Sequence, residues 1–600
     1  MKFTEDYANY QRRESRNFDI HVYAIGGNNY IRLQSMTNTD TCDIEATAKQ
    51  VMEIAEQGAD YVRVTTPTKK DVEALYEIKR IIKSFGLETP LIADIHFNPK
   101  VAMAAIEVAD KIRINPGNLV NSKRFENEED ELNKIKEVFI PILQKAKKYN
   151  IAIRVGTNMG SLSDRILNKY GATPEGLVAA TMEYLDICNQ EDFEKTVVSI
   201  KASNALVNIQ ANRLLVAKMK EKGYDYPIHL GVTEAGNGIE GRVKSAVGIG
   251  ALLIDGIGDT VRVSLTEDPQ NEIPVARKIV NYATSRAKQE KLPELKDDFF
   301  SPYEFKPRKT YKNLISDRTI VIADFRNKEK IAENFEQQPD FAIVNNDTEQ
   351  YAQQRGITPV WEDKTKEFAL LNAESFEGFN GKFAFVETKL KDLENKKLVK
   401  DIERKKNAAL IFIPETDNFI GELRIFIHTL QKLKCYAPII IKLDYQDKNF
   451  EDLAIKASID SGVFFIDGLA NGLWINSPNT EKANTEIAFE ILQASGRRIS
   501  KAEFISCPGC GRTTFDLEPV TEKIKKRLSG RKGLKIAIMG CIVNGLGEMA
   551  DADYGYVGTG KGKVSLYHKK ELIKKDIPEE KALDELEKLI VSTQQKNERL

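Results

Sequence analysis

The sequence predicts an α/β protein with an N-terminal (β/α)8 TIM barrel, a central α/β insert domain and a C-terminal α+β domain. Three observations point there. Eight short β-branched runs alternate with longer amphipathic stretches over residues 1–290. A charged, proline-bearing stretch then separates this alternation from a second one. The chain has 600 residues, more than one hydrophobic core can serve.

Taken in order, Phe18–Tyr23 followed by Gly26-Gly27 reads as a small hairpin under the barrel. The barrel strands are Tyr30–Ser35, Tyr61–Thr65, Leu91–His96, Lys111–Asn115, Ile151–Val155, Val197–Lys201, Ile228–Val232 and Thr260–Ser264. Between them fall the helical stretches Ile44–Gln57, Lys69–Phe85, Glu131–Tyr149 and Ala205–Glu221. Such a barrel works at the C-terminal ends of its strands. Lys288–Asn313 carries Pro293, Pro302 and Pro307 without apolar periodicity and reads as a linker. Beyond it, Thr319–Asp324, Phe341–Asn345, Lys382–Val386, Ala408–Ile413, Pro438–Leu443 and Val463–Ile466 read as strands. They make an α/β domain, another barrel being one form open to it, with no cluster of convergent polar residues. The resulting division is 1–290 barrel, 291–316 linker, 317–497 central domain and 498–600 C-terminal domain.

Composition excludes several function classes. With 42% hydrophobic and 30% charged residues and a formal net charge of −1, nothing suggests nucleic acid or an anionic membrane surface. No apolar run approaches a membrane span, and Met1–Arg16 lacks the apolar core of a secretory signal. Six cysteines, clustered rather than spread in pairs, suit a reducing cytoplasm. Cys42, Cys188 and Cys435 read as small buried apolar residues.

The barrel's strand ends carry charge. Arg63, Arg113, Arg154, Lys201 and Arg262 each sit in an apolar strand context such as Tyr-Val-Arg-Val-Thr. Residues two apart share a strand face, which puts Thr65, Asn115 and Ser264 beside three of them. Any one of these cations alone reads as a structural ion-pair member. The acids available at strand ends are Asp94 and Glu234, so five cations face two acids. An uncompensated buried positive cluster is costly. The surplus implies a bound polyanion, most simply a phosphate or diphosphate ester. Asn158 adds a polar donor on the loop after the fifth strand. Asp94, His96 and Glu234 are either orienting groups for the cations or the proton-handling groups of the site. Glu234, ringed by cations, is expected to be ionised at rest.

Three of the six cysteines lie near the C-terminus, as Ser506-Cys507-Pro508-Gly509-Cys510-Gly511 and Gly540-Cys541. A structural zinc site wants four strong ligands, and no histidine lies between Cys507 and Glu548. A thioredoxin-like dithiol uses Cys507 and Cys510 but leaves Cys541 idle. An iron–sulfur cluster uses all three thiolates, with Glu548 as a fourth ligand. Glu548 reads equally as a solvated loop acid.

Five segments carry a resemblance: Gln34-Ser35-Met36-Thr37-Asn38-Thr39, Val198–Ser203, His229–Gly236, Gly256–Ser264 and Met539–Gly545. They resemble the signature segments of the 4-hydroxy-3-methylbut-2-enyl diphosphate synthase family, [4Fe-4S] enzymes of non-mevalonate isoprenoid biosynthesis. The likeness spans about residues 1–290 and 500–600. It implies a [4Fe-4S] cluster on Cys507, Cys510, Cys541 and Glu548, and 2-C-methyl-D-erythritol 2,4-cyclodiphosphate as the polyanion. By the same resemblance Arg63, Arg113, Arg154, Lys201 and Arg262 grip the diphosphate, assisted by Asn158 and Ser264. Glu234 is the favoured proton donor, with His96 and Asp94 nearby. The resemblance further implies ferredoxin or flavodoxin as electron donor, and a monomer or homodimer. Two-domain members lack the central domain, and the cluster domain of one subunit closes over its partner's barrel. The insert of the longer form is expected to act as a spacer that lets the cluster domain reach its own chain's barrel. The rival readings are a thiol–disulfide oxidoreductase and a zinc-stabilised non-redox barrel enzyme.

Overall fold

A computed structural model describes residues 2–120, 128–331, 334–549 and 551–597. A hairpin, β1 (Phe18–Ile20) with β2 (Tyr23–Ile25), plugs the bottom of the first barrel. Its Ile20 and Ile25 are buried with Tyr61, Ile92, Ala152 and Val197 from the barrel strands. Eight parallel strands follow: β3 (Arg32–Met36), β4 (Tyr61–Thr65), β5 (Leu91–Asp94), β6 (Lys111–Ile114), β7 (Ala152–Asn158), β8 (Thr196–Lys201), β9 (His229–Leu230) and β10 (Thr260–Val261). A single Val198–Ile228 bridge brings β9 beside β8 and completes the ring. Several helices start on side-chain caps. Thr68 and Asp71, for example, form a capping box at the start of Lys69–Ser84. β9 and β10 are only two residues long, so Glu234, Arg262 and Ser264 stand on the segments beyond them rather than inside strands.

The second alternation also closes. Strands β11 (Ile320–Asp324), β12 (Phe341–Val344), β13 (Thr358–Trp361), β14 (Phe368–Asn372), β15 (Phe383–Thr388), β16 (Ala408–Phe412), β17 (Ile439–Asp444) and β18 (Gly472–Asn476) form a closed parallel barrel in sequence order. The expected strand Val463–Ile466 is instead the last turn of the helix Phe450–Ile466. That helix is apolar on nearly every side because it is buried between the two barrels, which erases the periodicity that marks a helix. It lies against Gly238–Ile254 of the first barrel with glycines at the contact. A Cβ on Gly250 would stand 2.6 Å from Ile459, and one on Gly462 would stand 2.9 Å from Val247.

Buried charge ties the barrels together as well. Arg213 of the first barrel meets Asp255 at 2.7 Å and Asp467 of the second at 2.5 Å, while Arg424 reaches Asp255 at 2.7 Å. Each charge has an opposite partner, as burial requires. The stretch read as a linker has no strand or helix between residues 289 and 319. It is nonetheless anchored: Leu295, Phe299, Tyr311 and Ile315 are buried, and the Tyr311 hydroxyl donates to the Ala408 carbonyl at 2.8 Å.

The C-terminal part is a five-stranded mixed sheet of β19 (Glu503–Ser506), β20 (Lys535–Met539), β21 (Tyr554–Gly560), β22 (Lys563–His568) and β23 (Glu571–Pro578). The first three run parallel and the last two antiparallel. Helices Leu517–Leu528 and Glu579–Asn597 share one apolar core with it. This sheet sits over the strand ends of its own chain's first barrel. Ala235 pairs with Ser506 by a parallel bridge, and Thr266 bonds the Ser506 hydroxyl at 2.8 Å. Gly547 lies so close to the Gly160 carbonyl that any Cβ there would overlap it. Glu240 of the barrel pairs with both Lys501 and Lys525.

Candidate active site between the barrel and the cysteine loops

One cavity at the C-terminal face of the first barrel brings together residues from distant parts of the chain. Arg63, Asp94, His96, Arg113, Arg154, Asn158, Lys201, Glu234, Arg262 and Ser264 line its lower wall, and Cys507, Cys510, Cys541 and Glu548 its upper wall. Strand alternation explains the lower wall, since Asp94, Arg113 and Arg154 occupy adjacent register positions on β5 to β7, and Arg63 lies two residues before Thr65, the β4 partner of Asp94, on the same face.

The cations are packed tightly. Arg113 Nη1 donates to Asp94 Oδ1 at 3.2 Å and to His96 Nε2 at 2.9 Å, while Nη2 donates to the Gly156 carbonyl at 2.9 Å. Arg154 donates to the Ser199 hydroxyl at 2.9 Å, but its Nε and Nη2 are buried without a partner. Gly231 leaves room for Lys201, whose Nζ would stand 2.5 Å from a Cβ there. Burial, then mutual repulsion among these groups, lowers the pKa values of Arg154 and Lys201, and burial lowers that of Arg63 to about 10. Repulsion of this kind is relieved by an anion.

The acid count changes on inspection of the structure. Arg262 has a partner that spacing did not reveal: Glu272, on the helix Glu272–Ser285, accepts from Nε and Nη2 at 3.0 Å each. Asp94 would be raised by burial, but Arg63 and Arg113 hold it well below the usual carboxylate range. Among the described residues Arg63, Arg154 and Lys201 form no ion pair with a carboxylate, Arg63 meeting Met36 and Arg154 the Ser199 hydroxyl instead, so a cationic surplus remains.

His96 is neutral. Burial lowers its pKa to about 4 against the pull of Asp94. Its Nε2 accepts from Arg113, so the ring proton belongs on Nδ1, which faces the Asn118 side-chain amide at 3.0 Å. The amide oxygen of Asn118 is otherwise unpartnered, and turning that amide over supplies the acceptor. A neutral imidazole with a low pKa is a poor proton donor near neutral pH.

Burial raises the pKa of Glu234 against the pull of Lys244 and Lys201, and a carboxyl neighbour of Glu234 is Glu548. The two acids are hydrogen-bonded, so the pair shares a proton, and Glu548 is pushed well up by burial and by Glu234. Thr233 Oγ1 donates to Glu548 Oε2 at 3.4 Å. Glu234 has φ +50°, a left-handed backbone unusual for a side chain of this size, on the loop whose next residue bridges to Ser506. Its Oε2 is buried with no partner.

The upper wall suits a cluster better than a single ion. Zinc with sulfur ligands at about 2.3 Å draws its donors close together. Among the described residues, the one group of three or more donors mutually within 4.8 Å is Asp40, Cys42 and Asp71, which includes none of the three cavity cysteines. None of those three is in a disulfide, and they line the cavity together with Glu548. The Gly540 N–H donates to Cys507 Sγ at 3.3 Å, and burial pushes the Cys507 thiol up to about 12 in the absence of iron. Cys188 and Cys435 are buried as expected, but Cys42 is exposed, its thiol donating to Asp71 at 3.5 Å.

Comparison with known proteins identifies the family. The family model described as GcpE TIM-barrel domain matches residues 15–277, and that described as GcpE protein C-terminal domain matches residues 503–592. A protein of Bacteroides fragilis named 4-hydroxy-3-methylbut-2-en-1-yl diphosphate synthase (flavodoxin) is 44% identical over 98% of this chain and 96% of its own length. Proteins of the same name from Phocaeicola vulgatus and Protochlamydia amoebophila are 44% and 39% identical, each over 98% of this chain and covering 98% and 97% of their own lengths. Such identity over almost the whole of both chains, central barrel included, establishes that this chain belongs to the GcpE family of 4-hydroxy-3-methylbut-2-enyl diphosphate synthases.

Proposed function

We propose that this cavity carries out the reductive ring opening and dehydroxylation of 2-C-methyl-D-erythritol 2,4-cyclodiphosphate to 4-hydroxy-3-methylbut-2-enyl diphosphate. The observation that carries the reading is the cavity itself, cationic below and thiol-lined above, in a chain of this family. Arg63, Arg113, Arg154, Lys201 and Arg262 would bind the diphosphate, with Asn158 and Ser264 completing its hydrogen bonds. Burial of this polar set beneath the sheet excludes water and fixes the substrate's carbon skeleton beneath the cysteines. A [4Fe-4S] cluster on Cys507, Cys510, Cys541 and Glu548 would supply two electrons one at a time, received from flavodoxin or ferredoxin.

The carbon–oxygen bond at the tertiary ring carbon breaks, and the C3 hydroxyl leaves as water. Glu234 fits the donor of the required proton, because burial favours its protonated form. Neutral His96 with Asp94 fits a positioning role, holding Arg113 toward the phosphates. The central barrel acts as a spacer that sets the sheet over its own chain's first barrel. Cysteines outside any disulfide at the site suit a cytoplasmic location. The test is anaerobic incubation of the iron-loaded protein with the cyclodiphosphate and reduced flavodoxin. The linear allylic diphosphate is the expected product; an iron-loaded protein that leaves the cyclodiphosphate intact would contradict the reading.

A further inference from the structure

Arg512 stands two residues beyond Cys510, on the loop that covers the barrel. Among the described residues lining the cavity, it is the cation supplied by the C-terminal sheet domain; the others come from the barrel. Its loop is held in place. A Cβ on Gly511 would stand 2.7 Å from the Thr39 carbonyl oxygen, and the Cys510 N–H donates to Thr513 Oγ1 at 3.0 Å. The guanidinium therefore enters the cavity from a fixed backbone.

Once inside, the guanidinium reaches the Cys541 sulfur and lies near Cys510, but two of its donors stay unused. Nη2 lies 3.9 Å from Asp94 Oδ2, beyond hydrogen-bond range, and Nε and Nη1 are buried without an acceptor. Buried guanidinium donors normally have partners, so this pattern points to an absent anionic acceptor. The nearest carboxylate, Asp94, is already engaged by Arg113 at 3.2 Å. Docking the loop also adds a cation to a wall already in cationic surplus, which is unfavourable unless an anion lies between.

We infer that Arg512 is a substrate-binding residue of the C-terminal domain, donating to the diphosphate from the side opposite the barrel cations. The bound anion then bridges the two domains. This rests on the phosphate-ester reading of the cavity given above.

Calorimetric titration of the cluster-free full-length chain with 2-C-methyl-D-erythritol 2,4-cyclodiphosphate, and with inorganic pyrophosphate, separates the possibilities. Arg512→Gln is expected to weaken cyclodiphosphate binding by about 10- to 100-fold, as loss of a charged hydrogen-bond donor does. Arg512→Lys should recover part of the loss, and both variants should take up wild-type amounts of iron and sulfide. Arg63→Gln serves as the barrel control. Wild-type affinity in Arg512→Gln, with binding weakened in Arg63→Gln, would overturn the assignment and leave Arg512 as a partner of the thiolates alone. Failure of the wild-type chain to bind either anion would overturn the phosphate reading, and the assignment with it. If Arg512→Gln does not fold, Arg512→Lys decides: affinity several-fold below wild type supports the assignment, and unchanged affinity for both anions overturns it.

Discussion

Two eight-stranded parallel barrels lie side by side in this chain, and they use their interiors in opposite ways. The first fills its upper interior with Arg63, Arg113, Arg154 and Lys201, and leaves buried polar atoms of Gln34, Lys111, Arg154 and His229 without partners. The second fills its interior with Ile322, Phe341, Phe383, Phe385 and Trp474. The charges at its strand ends pair among themselves, Asp324 with Arg326 and Glu387 with Lys442. One barrel accepts a poorly compensated charged interior so that a ligand can complete it; the other is apolar inside, although Trp474 Nε1 is buried without a hydrogen-bond partner. Fold alone therefore says little about chemistry, which lies in what the strand ends carry.

Substitutions on either side should divide along that line. The largest effect is expected from Glu234→Gln, which keeps size but removes the proton. The rate constant kcat should fall by about 10²- to 10⁴-fold while the cyclodiphosphate still binds within a few-fold of wild type. A parallel loss of binding in calorimetry would make Glu234 a binding group instead. In the second barrel, Phe385 is fully buried against Phe341 and Phe383, with ring centroids 5.1 and 5.3 Å away. Phe385→Ala should cost about 3–5 kcal/mol in denaturant unfolding and leave kcat/KM of the folded protein unchanged. Altered substrate affinity in that variant would erase the contrast between the barrels.

A smaller, pH-dependent effect is expected at His96. The unfolded chain protonates this residue near 6.5 and the folded chain only near 4. Between those values the unfolded state binds more protons, so stability falls as pH drops through the window. His96→Gln should remove up to about 3 kcal/mol of that fall, visible as a flatter stability-versus-pH curve. A curve parallel to wild type would mean that His96 is not held neutral. The smallest expected signal is none at all. Mixing a Cys541→Ser chain with an Arg154→Met chain should restore no activity, because each sheet domain covers its own barrel; regained turnover would refute the spacer role of the second barrel.

Local pattern reveals some of this architecture well. Tyr61–Thr65 and Ala205–Glu221 have the same bounds in sequence and structure, the first because a β-branched run marks a strand and the second because Asn204 caps its start and Gly223, with positive φ, follows its end. The reading of Val463–Ile466 fails where burial on all sides removes periodicity, and β13, β14 and β18 are missed in the same barrel. At the site, strand-end cations and clustered cysteines are conspicuous in a chain with few cysteines. Glu272, Arg512 and Thr233 are not, since each reaches the cavity or, for Glu272, the lining residue Arg262 from a helix or loop whose position only tertiary folding sets. The raised pKa of Glu234 is likewise invisible in sequence, because the burial that raises it is set only by tertiary folding.

The central claim is that the thiol-lined wall holds an electron-carrying cluster over a phosphate-binding barrel. It is tested most directly by the iron, sulfide and zinc content of protein purified without oxygen, with an electron paramagnetic resonance spectrum after dithionite reduction. The account predicts about four iron and four sulfide per chain, and a reducible signal that shifts when the cyclodiphosphate is added. Stoichiometric zinc with no reducible signal after anaerobic reconstitution would contradict it, leaving a phosphate-binding barrel with no source of electrons.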